Sequence, residues 1–392
     1  MRILHLTHNY PRHNGDLAGA FIERLALAQV AFGHDVAVLT PSDAGTAGDV
    51  TRGGVTVHRV RYAPARLETL AHTGTMASAL GSPVGLATFA SLVSAQARAA
   101  RRMAKGGAVD LVHAHWWIPA GASAWLARAG GGVPYVVTLH GTDVALLDRS
   151  ALARALARRV LRRAAAVTAV SAYLAKKAAA VAGLEAGSIV VQPMPLDTRR
   201  LARASAGGGG VVTVGRLTAQ KRVGWILDAV AALKGRGRPL ALTIVGDGPE
   251  RAVLEAQASR LGIAGETRFV GAVAPDQVAG AIGDADVFAF PAMGEGYGLA
   301  AAEALALGVP VVVVADGGGA TEIAARGGAG RVVPAGDANA LARAIDELAA
   351  SPDARRLAAA EGARFKEELD ADAVARRFDI VYHRAMAGRR LG

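Results

Sequence analysis

The sequence predicts an α/β protein made of two doubly wound parallel sheets, and three observations carry that prediction. Short apolar runs of strand length alternate with helical stretches twice along the chain, the pattern of a parallel sheet covered by helices on both faces. At 392 residues and 52% hydrophobic content the chain can build two ordinary domains, each with its own core. Between the two series lies "LARASAGGGG", Leu201 to Gly210, which reads as a flexible linker.

The first series comprises "RILHL", "DVAVLT", "VTVHRV", "DLVHAH", "YVVTLH", "AVTAVS" and "SIVVQP", with helical stretches such as "GAFIERLALAQVAFG" between them. The second comprises "GVVTVG", "LALTIVG", "TRFVG", "DVFAF", "VPVVVVA" and "AGRVV". The expected division is an N-terminal domain over 1–198, a second domain over 199–370 and a final helix within 371–392. That helix, Asp370 to Met386, can pack on either domain, a return to the first included. Two such domains facing across a cleft would present strand ends and helix N-termini to a shared ligand.

Composition narrows the chemistry. The chain has no cysteine, which excludes disulfides, thiolate metal sites and cysteine nucleophiles and fits a reducing compartment. The start, "MRILHLTHNY", lacks the apolar core of a secretory signal. No apolar run reaches the span of a membrane helix. The expectation is a soluble, cytoplasmic protein, peripheral at most to the inner membrane face.

Charge is uneven. Residues 1–198 carry 20 Lys plus Arg against 11 Asp plus Glu, a balance of +9, while residues 199–392 carry 24 against 22, or +2. Six arginines fall within Arg149 to Arg163, followed by Lys176 and Lys177. Two readings stand: an anionic partner such as a membrane surface or a phosphorylated acceptor, or an arginine-rich coding habit, since 38 of the 44 basic residues are arginine. Nucleic acid is not expected, because no aromatics are interleaved and no recognition motif accompanies the patch.

Candidate ligand residues gather at strand-to-helix junctions of the second series. In "VVTVGRLTAQKRVGWILDAVAAL", Arg216 leaves the strand and Lys221 stands just ahead of the helix, where both can converge on a phosphate. Taken alone, the segment reads as a solvated basic loop, although lysine is scarce here, with six in the chain. In "VGDGPE", Gly246 and Gly248 make a tight turn before Pro249 and read as architectural. In "ADGGGATE", Gly317, Gly318 and Gly319 permit close approach to a helix start at Thr321 and Glu322.

The stretch "MGEGYGLAAAEALALG" holds two glutamates. Gly294, Gly296 and Gly298 leave the backbone bare around Glu295, and a helix starting near Leu299 offers N–H groups that favour a phosphate. Glu303, one turn into the helix, is placed to accept from a ribose diol, and Glu295 to hold sugar hydroxyls. Several glycine-lined helix starts at one sheet edge make a nucleotide phosphate the economical ligand.

"EGYGLAAAE" resembles the Glu, seven residues, Glu signature of the retaining GT-B glycosyltransferases of family GT4. The resemblance extends in the family's order through "VGRLTAQKRV", "VGDGPE", "FVG", "ADVFAFP" and "GVPVVVVADGGGATE", and the first domain adds "DLVHAHW", "TLHGTD" and "VTAVS". It spans nearly the whole chain and implies GT-B architecture with two Rossmann-like domains. It also implies transfer of a hexose from a nucleoside-diphosphate sugar, a UDP-sugar or GDP-mannose, to a hydroxyl acceptor with retention. Under it Arg216 and Lys221 hold the diphosphate, Glu303 the ribose and Glu295 the sugar hydroxyls. Gly296, Tyr297, Gly298 and Leu299 line the phosphate, and Val273 lies near the base. Neither metal nor separate cofactor is implied, and the leaving phosphate takes the acceptor's proton.

The first domain supplies the acceptor side. The resemblance also implies a glycine-rich loop near the donor phosphate at Gly15 or Gly19, departing from the family's frequent double glycine, and a histidine at His113 or His115 in contact with the donor sugar. His140 and Asp143 end the next strand and face the cleft, with His115 and His140 the catalytic candidates there. Trp116 and Trp117 read equally as an acceptor wall or as packing. The acceptor is a sugar, a lipid-linked or a small molecule. Rival readings are a non-catalytic nucleotide-sugar binder, a GT-B nucleotide-sugar epimerase and a dinucleotide oxidoreductase, the last disfavoured because "NYPRHNGDLAG" lacks its glycine fingerprint. "DAD", Asp284 to Asp286, superficially resembles a metal motif but is expected to close a helix and open a strand.

Overall fold

A computed structural model describes the chain except residues 44–46, 73–75, 130–131, 186, 202–207 and 389–392. Most of the expected linker, 202–207, lies outside the described residues. The chain divides into unit 1, Met1–Pro195 with Ala371–Gly392, and unit 2, Leu196–Asp370.

Unit 1 is an eight-stranded sheet. Its strands are β1 (Arg2–Leu6), β2 (Asp35–Pro41), β3 (Gly48–Arg52), β4 (Val55–Val60), β5 (Leu111–His115), β6 (Tyr135–Leu139), β7 (Ala166–Ala169) and β8 (Val190–Val191). Their order is β3-β4-β2-β1-β5-β6-β7-β8, parallel except for β3 on β4. The central strands are buried along their length, as apolar runs covered on both faces must be. β3 was not anticipated: "GDVTR" is polar and exposed, an antiparallel edge whose pairing no apolar pattern announces. The chain reverses direction across the sheet between β1 and β5, the switch point at which doubly wound sheets open a ligand crevice.

The first crossover helix, Ala20–Ala31, begins after Gly19 at φ 71°. A Cβ there would lie 2.1 Å from the Asn9 carbonyl oxygen, so only glycine fits. The last helix, Ala371–Met386, packs against this one and buries Val374, Phe378, Val381 and Tyr382 in unit 1.

Unit 2 has six parallel strands: β9 (Val211–Val214), β10 (Leu242–Val245), β11 (Thr267–Gly271), β12 (Val287–Phe290), β13 (Val311–Val314) and β14 (Gly330–Val333). The order β11-β10-β9-β12-β13-β14 puts the switch point between β9 and β12. Helices Gly224–Gly235 and Ala338–Ala350 cover one face, with Ile226, Val230, Leu341 and Ile345 meeting Ile244 and Val312 in the core. Each such buried side chain stabilises by about 1.5–3 kcal/mol relative to exposure. Both series of expected strands are present, and the fold is the doubly wound α/β class that the alternation predicts.

Candidate active site

In unit 2 the loops after β9, β12 and β13 are tied to one another at the carboxyl edge of the sheet. Gln220 and Met293 exchange two hydrogen bonds, each 3.0 Å: the Met293 N–H and the Gln220 side-chain amide both donate to the other's carbonyl. The Gly294 N–H donates to the Asp316 carbonyl at 2.8 Å, and the Gly319 N–H to the Glu295 carbonyl at 2.8 Å. Gly318, at φ 68°, is forced by this contact, because a Cβ there would lie 2.4 Å from the Glu295 carbonyl oxygen. The glycines of "ADGGGATE" therefore brace the Glu295 loop.

On this frame Lys221 Nζ lies 2.6 Å from Glu295 Oε1 and 4.7 Å from the centre of the Phe290 ring. Both partners of the pair are half-buried. Arg222, which sequence reasoning missed, donates to Asp316 Oδ1 at 2.8 Å and stacks on Trp225. Its φ of 49° is unusual for a non-glycine residue, and only the fold, not the local sequence, imposes it. Arg216 is exposed and makes no hydrogen bond or ion pair among the described residues. Gly246 and Gly248 pack under its loop: Cβ atoms there would lie 2.0 Å from the Gly215 and 2.3 Å from the Leu217 carbonyl oxygens.

The helix Leu299–Ala306 starts from Gly298, at φ 85° and with no side-chain cap, so its first N–H groups are left for another acceptor. Gly296, Tyr297 and Glu303 are half-buried, with Glu303 one turn into the helix. Val273 follows the edge strand β11, two residues past its end. Asp286 accepts the Gly208 N–H at 2.8 Å and the Gly210 N–H at 3.1 Å and pairs with Arg355. Its carboxylate is thus engaged in joining the strand start to the end of the glycine run.

In unit 1 the carboxyl edge at the switch point carries histidines. His5, His113 and His115 are fully buried, and one ring nitrogen from each lies within 4.8 Å of the others. Every ring nitrogen of the three has a partner. His5 Nδ1 meets His115 Nε2 at 3.0 Å, and His5 Nε2 meets Gln29 Oε1 at 2.6 Å. His113 meets the Tyr382 hydroxyl and Thr138 Oγ1, each at 2.7 Å. His115 Nδ1 meets His140 Nε2 at 3.2 Å. Burial lowers the imidazole pKa to about 4 at His5 and about 3 at His140, so the rings are neutral.

Half-buried His140 packs on Trp116 (ring centroids 4.3 Å apart) and Phe21 (5.2 Å). Trp116 has φ 68°, a strained conformation for a bulky residue, and its ring also meets His8 at 4.5 Å. Trp117 is packing: it is fully buried and its indole N–H donates to the Asp143 carbonyl at 2.7 Å. Asp143, expected to face a ligand, is 4% exposed and accepts backbone N–H groups of Trp117, His140 and Gly141. Desolvation raises its pKa against those bonds. It fixes the turn that carries His140. Gly15 faces open space, whereas Gly19 is sterically required. His5, Gln29 and Tyr382 were not anticipated; each sits in an ordinary apolar strand or helix pattern.

The doubly wound sheet of each unit and the Glu295-to-Glu303 stretch agree with the glycosyltransferases of GT-B architecture that comparison with known proteins finds. Residues 206–365 match the family described as glycosyl transferases group 1, and residues 18–195 match the glycosyl transferase 4-like domain. The chain belongs to this retaining GT4 family, whose members use nucleotide-sugar donors. It is 32% identical over 238 residues to 2-deoxystreptamine glucosyltransferase of Streptomyces kanamyceticus, covering 53% of this chain and 60% of that one. It is 29% identical over 340 residues to glycogen synthase of Mycobacterium tuberculosis, covering 81% and 79%. Its fold matches Anabaena Alr3699/HepE in complex with UDP-glucose at TM-score 0.70 and 20% identity, over 97% of this chain and 99% of that one. No helix among the described residues is long and apolar enough to cross a membrane.

Proposed function

We propose that the protein transfers a hexose from a nucleoside-diphosphate sugar, with UDP-glucose the favoured type, to a hydroxyl acceptor with retention and without a metal. The observation that carries the reading is the Lys221–Glu295 pair, held on a braced loop beside the uncapped helix at Gly298. Arg216, Lys221 and the N–H groups of Gly298 and Leu299 stabilise charge as it grows on the leaving diphosphate. Glu303 holds the ribose and Glu295 the sugar hydroxyls. The bond from the anomeric carbon to the diphosphate oxygen breaks, and the acceptor oxygen bonds to that carbon on the same face. Its proton passes to the leaving phosphate oxygen. Binding of UDP-glucose by the HepE protein supports the donor type.

The test is thermal stabilisation by UDP, GDP, ADP, their hexose conjugates and NAD, without metal. A shift with one nucleoside diphosphate and its sugar supports the reading; a shift with NAD alone, or none, overturns it. Sugar transfer to an acceptor, followed by anomeric analysis of the product, separates the enzyme from a binding protein and from an epimerase.

A membrane-borne acceptor is supported by a hollow of about 1050 Å³ in unit 1 lined by Arg128, Arg158, Arg159, Arg162 and Arg163, with no acidic residue among its described lining. It lies at the amino edge of the sheet, before β6 and β7, where it can face an anionic surface while the carboxyl edge stays open. Flotation with anionic but not neutral vesicles is the expected result, and equal flotation with both would remove the membrane form.

A further inference from the structure

Gln29 sits at the centre of a chain of hydrogen bonds whose direction it sets. Its side-chain oxygen lies 2.6 Å from His5 Nε2, and an amide oxygen only accepts, so His5 carries its proton on Nε2. Neutral His5 then has a bare Nδ1, which accepts from His115 Nε2 at 3.0 Å. Neutral His115 in turn has a bare Nδ1, which accepts from His140 Nε2 at 3.2 Å. The last ring is left with its proton on Nε2 and a lone pair on Nδ1. His140 Nδ1 has no partner among the described residues.

The other side of the same amide is consistent with this order. Gln29 Nε2 donates to the Tyr382 oxygen at 2.9 Å, leaving the Tyr382 hydroxyl proton for His113 Nδ1 at 2.7 Å. His113 Nε2 then donates to Thr138 Oγ1, which lies 2.6 Å from Thr168 Oγ1. Turning the amide over would require the opposite proton position on all four rings. The histidine arm ends at an amide oxygen, which neither supplies nor carries away a proton at neutral pH, so it is suited to orientation and not to proton export.

We propose that Gln29, His5 and His115 are positioning residues that hold His140 in the Nε2–H tautomer and thereby present Nδ1 as a fixed hydrogen-bond acceptor for a sugar hydroxyl. This rests on the reading of the carboxyl edge of unit 1 as part of the glycosyl-transfer site. Trp116 and Phe21 fix the plane of the His140 ring, and the buried chain fixes which nitrogen faces outward. A neutral acceptor at a set position favours a hydroxyl over an ether or a deoxy position, because only the hydroxyl donates to it.

Long-range proton–nitrogen correlation spectra of the full chain, with the rings assigned by single histidine substitutions, read the tautomers directly. The expected result is Nε2–H at His5, His113, His115 and His140 in the native protein and a mixture at His140 in Gln29→Leu. Nδ1–H at these rings, or a His140 tautomer unchanged by Gln29→Leu, overturns the proposal. Should Gln29→Leu fail to fold, Tyr382→Phe removes one oxygen and frees the amide to turn, with the same expected mixture. In either variant kcat/KM for sugar transfer is expected to fall about 10-fold, the scale of one neutral hydrogen bond, while affinity for the nucleoside diphosphate alone is unchanged. A shifted tautomer with unaltered kinetics overturns the assignment of the hydroxyl contact. Loss of nucleoside-diphosphate binding in the native protein would instead count against the donor site of unit 2, so the two failures are distinguishable.

Discussion

Lys221 and Glu295, 74 residues apart in sequence, form an ion pair of 2.6 Å on a frame where the β9 and β12 loops hydrogen-bond to each other. The pair predicts a split in binding. Lys221→Ala should weaken both the nucleoside diphosphate and its sugar conjugate by about 10- to 100-fold, the range of a hydrogen bond to a charged group. Glu295→Ala should weaken the sugar conjugate by about 10-fold or more and leave the bare nucleoside diphosphate nearly unchanged. Calorimetry with both ligands on both variants decides; equal losses in the two would show that Glu295 does not meet the sugar.

Glu303 lies one helical turn past Gly298, deeper at the same edge. Glu303→Ala should reduce nucleoside-diphosphate affinity about 10- to 100-fold with no change for inorganic pyrophosphate, since the ribose is its partner. A loss for pyrophosphate as well would place the carboxylate's effect on the phosphate instead.

Two glycines at the first turn of unit 1 should respond differently. Gly19→Ala drives a Cβ into the Asn9 carbonyl at 2.1 Å with φ at 71°, and should cost about 2 kcal/mol or more. Gly15→Ala meets nothing within 4 Å and has only φ 85° against it, about 1 kcal/mol. Denaturant unfolding of the two variants compares them, and equal costs would mean that this turn rebuilds around the added carbon.

Acid should unfold unit 1 first. All ten histidines lie in it, and burial holds His5 and His140 below the ordinary 6.5, at about 4 and about 3. The unfolded state therefore binds more protons below pH 6.5. The stabilisation is complete above that value and is lost as pH falls toward 4 and 3, at about 1.4 kcal/mol per pH unit for each such histidine. Hydrogen exchange at neutral pH and near pH 5 should show protection falling in residues 1–195 before residues 196–370. Simultaneous loss in both would locate the acid sensitivity elsewhere.

The parallel strands were legible because a strand covered on both faces must be apolar throughout, and "YVVTL" or "VVVV" admits no other half-exposed reading. Lys221, Glu295 and Glu303 could be proposed from sequence because glycine spacing marks where a backbone can come close to a ligand, and the structure adds the Lys221–Glu295 contact that no local pattern announces. Asp143 was misjudged: a carboxylate beside a strand-end histidine looks ligand-facing until the backbone N–H groups that consume it are seen. The Tyr382 contact with His113 joins residues 269 apart and leaves no local trace, since a tyrosine on an amphipathic helix reads as core on any sheet.

The last helix of the chain supplies Phe378 and Tyr382 to the core of unit 1, whereas unit 2 is continuous from Leu196 to Asp370. During synthesis the later segment can therefore close its core while the earlier one still waits for its final wall. The histidine chain leans on the Tyr382 oxygen, so its order depends on the docking of that helix.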